Sequence, residues 1–161
     1  MKRLLIVIDG PAGAGKTTVS KTLAQRLKYR YIDTGALYRG VAYEILARGI
    51  DPGDEELLAE LLGELDLRFE RTAEGMRLFS GGQDITDAIR TPEVTMLASA
   101  ASAKPIVRQA LLELQRELGR QKAAVVEGRD MGTVIFPNAD VKFFLTADLK
   151  VWAKRRYEEM G

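Results

Sequence analysis

Residues 4–18 read LLIVIDGPAGAGKTT, and no other stretch restricts the fold so much. Gly10 to Thr17 fits G-x-x-x-x-G-K-[ST], a loop whose glycines let backbone N–H groups converge on phosphate. The apolar run Leu4–Ile8 reads as a buried strand of a parallel sheet. Val19, Leu23 and Leu27 then recur at a helical spacing, so Val19–Leu27 reads as a helix whose positive end faces the loop. A glycine-rich turn before a surface helix is the bland alternative. It does not account for a motif this complete between a strand and a helix. In the functional reading Gly10, Pro11, Ala12, Gly13, Ala14, Gly15, Lys16, Thr17 and Thr18 hold a nucleotide's phosphates. Lys16 supplies charge for the β- and γ-phosphates, and the Thr17 hydroxyl is placed to ligate Mg2+.

The rest of the chain is that of an ordinary globular domain with 161 residues, 46% hydrophobic and 29% charged. A net charge of +1 gives no reason to expect nucleic acid or an anionic membrane as partner. No run is long and apolar enough to span a bilayer. With 0 His and 0 Cys, zinc sites on imidazole or thiolate, disulfides, thiol nucleophiles and imidazole acid–base catalysis are excluded. Carboxylates, Lys, Arg, hydroxyls, backbone N–H groups and a hard metal remain. That inventory suits phosphoryl transfer, which is largely positioning and charge stabilisation. The absence of cysteine fits a cytoplasmic location.

Leu4–Ile8, Ala123–Val126 and Val141–Leu145 read as buried parallel strands, with Tyr29–Ile32 a shorter one. Helical patterns separate them, which predicts an α/β fold with a parallel sheet flanked by helices. Thr34–Arg48, Asp54–Leu65, Thr91–Ala103 and Pro105–Leu118 read as helices. Between them, Leu67–Arg71, Met76–Ser80 and Gln83–Ile85 read as a small antiparallel meander. The predicted division is a core of residues 1–34 and 104–147, an insertion of residues 35–103, and a helix beginning at the N-cap Asp148 over residues 148–161.

Two further groups fall at the carboxyl edge of the sheet, where open α/β folds bind ligands. Arg39 lies one turn into the helix after Asp33-Thr34, and Arg129–Asp130 follows the strand ending near Val126. Arg108 could join them. Arginine clamps phosphate bidentately, and aspartate accepts from amino or hydroxyl groups. Each also has a plain reading: Arg39 as a solvated helix residue, Arg129–Asp130 as a local ion pair, Arg108 as a partner of Glu113. The phosphate loop on the same edge favours the functional one. Lys150, Lys154, Arg155 and Arg156 form either a solvated face or part of a lid. The motifs leave open a small-molecule kinase or a nucleotide-binding switch without a second substrate. The second anion clamp argues for the kinase.

IDGPAGAGKTT, DTGALYR, IRTPEV and GRDMGTVIFP, in that order, resemble the bacterial cytidylate kinases. These P-loop nucleoside monophosphate kinases move a phosphoryl group from ATP to CMP or dCMP. The resemblance implies Mg2+ with ATP as donor and CMP or dCMP as acceptor; no nucleic acid or membrane partner is expected, and the chain is expected to act as a monomer. It implies that Lys16, Arg39 and Arg129 are catalytic. Thr34, Arg39 and Arg129 would surround CMP and its phosphate, while Ser99, Arg108 and Asp130 would read the cytosine edge. Ser99, in LASAAS, otherwise reads as a small residue on a packed helix. The insertion resembles the family's monophosphate-binding domain, and the last helix its lid. The family continues past the position matching Gly161, with the rest of the lid, further arginines and aspartate, the adenine-facing loop and a last core strand. The chain is thus expected to be a fragment of doubtful activity alone, with Val141–Leu145 left as an apolar sheet edge.

Overall fold

The computed structural model describes residues 3–160, excepting the side chains of Trp152, Arg155, Arg156, Glu159 and Met160. These residues form two compact units. One comprises the residues up to Asp33 together with those from Arg116 onward; the other is Thr34–Gln115.

The first unit is built on a four-stranded parallel sheet. Its strands are β1 (Leu5–Asp9), β2 (Arg30–Asp33), β6 (Ala124–Gly128) and β7 (Val141–Phe144), in the order β2-β6-β1-β7. β1 is buried along its whole length, as the apolar run Leu5–Ile8 requires, and it ends in the buried Asp9. Ile6, Ile8 and Val125 pack with Ala24 of α1 (Lys16–Leu27), and Leu23 and Leu27 close the same cluster. Leu23 and Leu27 are on the face expected from the sequence, whereas Val19, expected beside them, is exposed. The helix nevertheless begins at Lys16 rather than Val19, because the glycine loop itself supplies its first turn. β6 likewise runs two residues beyond Val126, which makes Glu127 a buried strand residue instead of a loop residue. β7 forms one sheet edge, with Phe143 and Phe144 exposed, the apolar edge anticipated from the sequence. The last helix, α6 (Leu149–Met160), starts where Asp148 accepts a hydrogen bond from the Lys150 N–H (2.9 Å).

The second unit combines helices with the expected meander. α2 (Gly35–Arg48) and α3 (Glu55–Gly63) precede β3 (Leu67–Thr72), β4 (Gly75–Ser80) and β5 (Gln83–Asp84), which pair antiparallel in that order. α4 (Pro92–Ser102) and α5 (Pro105–Arg120) follow, with the last turn of α5 in the first unit. The helix starts are chemically explicit. Asp54 accepts from the N–H groups of Glu56 and Leu57, and Thr91 accepts from that of Val94. Arg77 ties the meander together through Glu74, Asp84 and Asp87. Among the described residues no helix is long and apolar enough to cross a membrane.

One packing contact sets two opposing effects against each other. Gly119 lies in the final turn of α5, where alanine would gain about 1 kcal/mol of helix propensity. A Cβ at that position would stand 2.3 Å from the ring of Phe136, a buried side chain. Forced repacking of that size costs about 1–3 kcal/mol, which outweighs the propensity gain. Gly119→Ala is therefore expected to lower the melting temperature by several degrees, measured by thermal denaturation. An unchanged or higher melting temperature would show that the ring moves aside without cost.

Candidate active site

β1 delivers the chain to Gly10, where φ is 150° and a Cβ would fall 2.2 Å from the Leu145 carbonyl oxygen. Only glycine fits. Gly15 has φ of 91° and caps α1 with no side chain, leaving the first N–H groups of that helix facing the loop. The Lys16 ammonium folds back over the loop and donates to the Pro11 carbonyl oxygen at 2.9 Å.

Lys16 sits among charges supplied by three strand ends. In register, Asp33 of β2 faces Glu127 of β6, and Asp9 of β1 faces Gly128. Burial is the largest influence on Lys16 and lowers its pKa. Glu127 opposes this, Arg129 adds to it, and Asp33 and Asp9 oppose it. The loop lysine and the arginine after β6 thus feel one another's charge, and three carboxylates partly balance them.

Glu127 is the group at this edge to which the sequence reading gave no role. It is buried, and its Oε1 accepts a hydrogen bond from the Thr17 hydroxyl at 2.8 Å. Burial raises its pKa most, and the hydrogen bond from Thr17 draws it back. The Tyr31 hydroxyl lies beside the same carboxylate, and its own pKa is raised by burial, then by Asp33 and Glu127. The one available signal was an acidic residue directly after AVV in a run that otherwise reads as buried strand.

Arg129 and Asp130 are both exposed, immediately after β6. Asp130 adopts φ of 57°, in the left-handed region. A single π-helical turn, Met131–Ile135, follows it. The Asp9 carboxylate holds the start of that turn. Its Oδ1 accepts from the Met131 N–H at 2.7 Å and its Oδ2 from the Gly132 N–H at 2.8 Å.

The other expected site residues belong to the second unit. Thr34 is buried at the start of α2, and Arg39 is half-buried one turn further along. Ser99, in α4, is exposed rather than packed; its carbonyl accepts from the Ser102 hydroxyl at 2.8 Å. Small residues on that helix alternate between buried (Ala98, Ala101) and solvent-facing, which composition alone does not reveal. Arg108 is exposed, and its guanidinium approaches the Ser102 carbonyl at 3.4 Å. On α6, Lys150 and Lys154 are exposed and Lys154 pairs loosely with Glu158 at 3.9 Å, as on a solvated face. The side chains of Arg155 and Arg156 lie outside the described residues.

Comparison with known proteins bears on the family and the fold. The profile of the cytidylate kinase family matches residues 6–161. A cytidylate kinase of Syntrophotalea carbinolica is 48% identical over 159 residues, covering 99% of this chain and 68% of that protein. Those of Geobacter sulfurreducens and Bacillus subtilis are 49% and 48% identical, over 98% of this chain and 67% and 70% of theirs. Among solved structures, a shikimate kinase from Acinetobacter baumannii in complex with shikimate superposes with a TM-score of 0.50 at 16% identity. It covers 99% of this chain and 65% of that chain, a likeness of fold. With a parallel sheet, a complete phosphate loop and near-half identity along its length, the chain belongs to the cytidylate kinase family.

Proposed function

We propose that this chain phosphorylates CMP, and dCMP, at the expense of ATP. The observation that carries this reading is the parallel pairing of β1 and β6, which brings two cations to one sheet edge: Lys16, in the loop after β1, and Arg129, directly after β6. A loop that binds one nucleotide's phosphates needs only the first. The second suits an acceptor that is itself a phosphate, and kinship with cytidylate kinases names that acceptor. A switch without a second substrate has no use for it.

The transfer is a direct in-line displacement. A phosphate oxygen of CMP attacks the γ-phosphorus of ATP, the bond to the β,γ-bridging oxygen breaks, and ADP leaves. The attacking oxygen is already anionic, so no strong general base is required, in keeping with a chain of 0 His and 0 Cys. Gly10 to Thr18 bind the donor phosphates through backbone N–H groups, and Lys16 neutralises charge on the transferring group. Arg129 takes the acceptor phosphate and Asp130 the cytosine edge. Thr34, Arg39, Ser99 and Arg108 are the second unit's proposed contribution to acceptor recognition.

Mg2+ fits the donor set. It typically keeps several waters and takes only one or two protein ligands besides phosphate. Among the described residues no group of three or more acidic ligands gathers, as such a site would allow. The Thr17 hydroxyl donates its one hydrogen to Glu127, an orientation that turns oxygen lone-pair density away from the carboxylate, where a cation could take it. Bound there, Mg2+ would offset charge on the donor phosphates. Monomeric, cytoplasmic action with nucleotides as the only substrates completes the proposal.

Three measurements test it. A coupled assay with ATP and CMP, dCMP, UMP or AMP is expected to give the highest kcat/KM with CMP or dCMP; equal or better use of AMP sinks the assignment. Arg129→Ala is expected to raise KM for CMP by about tenfold or more while ATP binding changes little, the cost of losing a charged hydrogen-bond partner. An equal loss of both refutes its acceptor role. Glu127→Gln is expected to raise the Mg2+ concentration needed for half-maximal rate without changing KM for CMP, and an unchanged Mg2+ dependence would remove Glu127 from metal binding.

A further inference from the structure

We infer that Asp9 is a positioning residue for the acceptor half of the site, although in sequence it directly precedes the donor's phosphate loop. Asp9 ends β1, and its neighbour Gly10 opens the loop. Position in the chain would assign it to ATP. Its charge is felt by Lys16, but both of its hydrogen-bonding oxygens are engaged elsewhere. Both carboxylate oxygens accept backbone N–H groups from the turn after Asp130, at 2.7 and 2.8 Å, and all these groups are buried.

The turn needs such a partner for two reasons. Its first N–H groups precede any intrahelical acceptor, because a helical turn leaves its opening donors unpaired. Asp130 also stands in the left-handed region with φ of 57°, a conformation that costs a residue bearing a Cβ. The Asp130 carbonyl then accepts from the N–H groups of Val134 (2.9 Å) and Ile135 (3.2 Å), which couples that strained residue to the turn held by Asp9. A charged acceptor makes the stronger hydrogen bonds, and a buried N–H left without one is penalised. Asp9 thereby fixes where the chain places Arg129 and Asp130 as it leaves β6. The inference rests on the acceptor role proposed for those two residues.

Asp9→Asn tests it. An amide keeps one acceptor and turns an NH2 group toward the second N–H, so one of the two bonds is lost at nearly constant volume. KM for CMP should rise about tenfold while KM for ATP stays within about twofold. In an Arg129→Ala background the same change should add little, because the residue it positions is gone. Loss of ATP and CMP affinity in equal measure, loss of ATP affinity alone, or full additivity with Arg129→Ala would overturn the inference. So would an unchanged KM for CMP in Asp9→Asn alongside a raised one in Arg129→Ala, which would leave the acceptor reading intact. If Arg129→Ala itself leaves KM for CMP unchanged, the acceptor reading fails and this inference falls with it. Should Asp9→Asn not fold, Gly132→Ala perturbs the clamp from the opposite side. Its Cβ would meet Asp9 Oδ2 at 3.4 Å and the Lys142 side chain at 3.1 Å. The same selective rise in KM for CMP, of smaller size, is expected; a rise shared with ATP overturns the inference.

Discussion

The site depends on parallel pairing between β1 and β6, in the register that sets Asp9 opposite Gly128. Parallel strands end on the same side of a sheet, so whatever follows each of them converges there. β1 is followed by the phosphate loop and β6 by Arg129 and Asp130. The apolar runs of β1 and β6 bury that pairing in the core, so core packing and site geometry rest on the same contacts.

The charges at this edge form a balanced set. Two cations brought close together repel, and burial penalises the loop lysine further. Asp9, Asp33 and Glu127 stand near enough to compensate. Two of these carboxylates also serve a second purpose. Glu127 accepts a hydrogen bond from the Thr17 hydroxyl, and Asp9 holds the turn that follows Asp130. Acidic side chains at the ends of buried strands would otherwise be expensive, since an ionised group loses its hydration unless hydrogen-bonded.

How much of this could be read from sequence follows from the range of the forces involved. The phosphate loop was legible because glycine spacing and the Lys-Thr pair are local, and β1 and β6 because burial on both faces leaves an apolar run; β7, read as buried, is instead an exposed edge. The meander was legible from its glycine turns. The roles of Asp9 and Glu127 were not, because their partners are 122 and 110 residues away in the chain. The π-helical turn at Met131–Ile135 was also invisible, since its anchor is a side chain on another strand. Ser99 reads as packed from its small neighbours, whereas its exposure depends on which side of α4 faces the rest of its unit.

The central claim is that two phosphate-bearing substrates meet at the edge where β1 and β6 end. The most direct measurement is the affinity of a bisubstrate ligand in which adenosine and cytidine are joined through a chain of phosphates, compared with ATP alone by calorimetry. The account predicts binding at least about tenfold tighter than ATP, an advantage abolished by Arg129→Ala. A bisubstrate that binds no more tightly than ATP, or whose advantage survives the loss of Arg129, would contradict it.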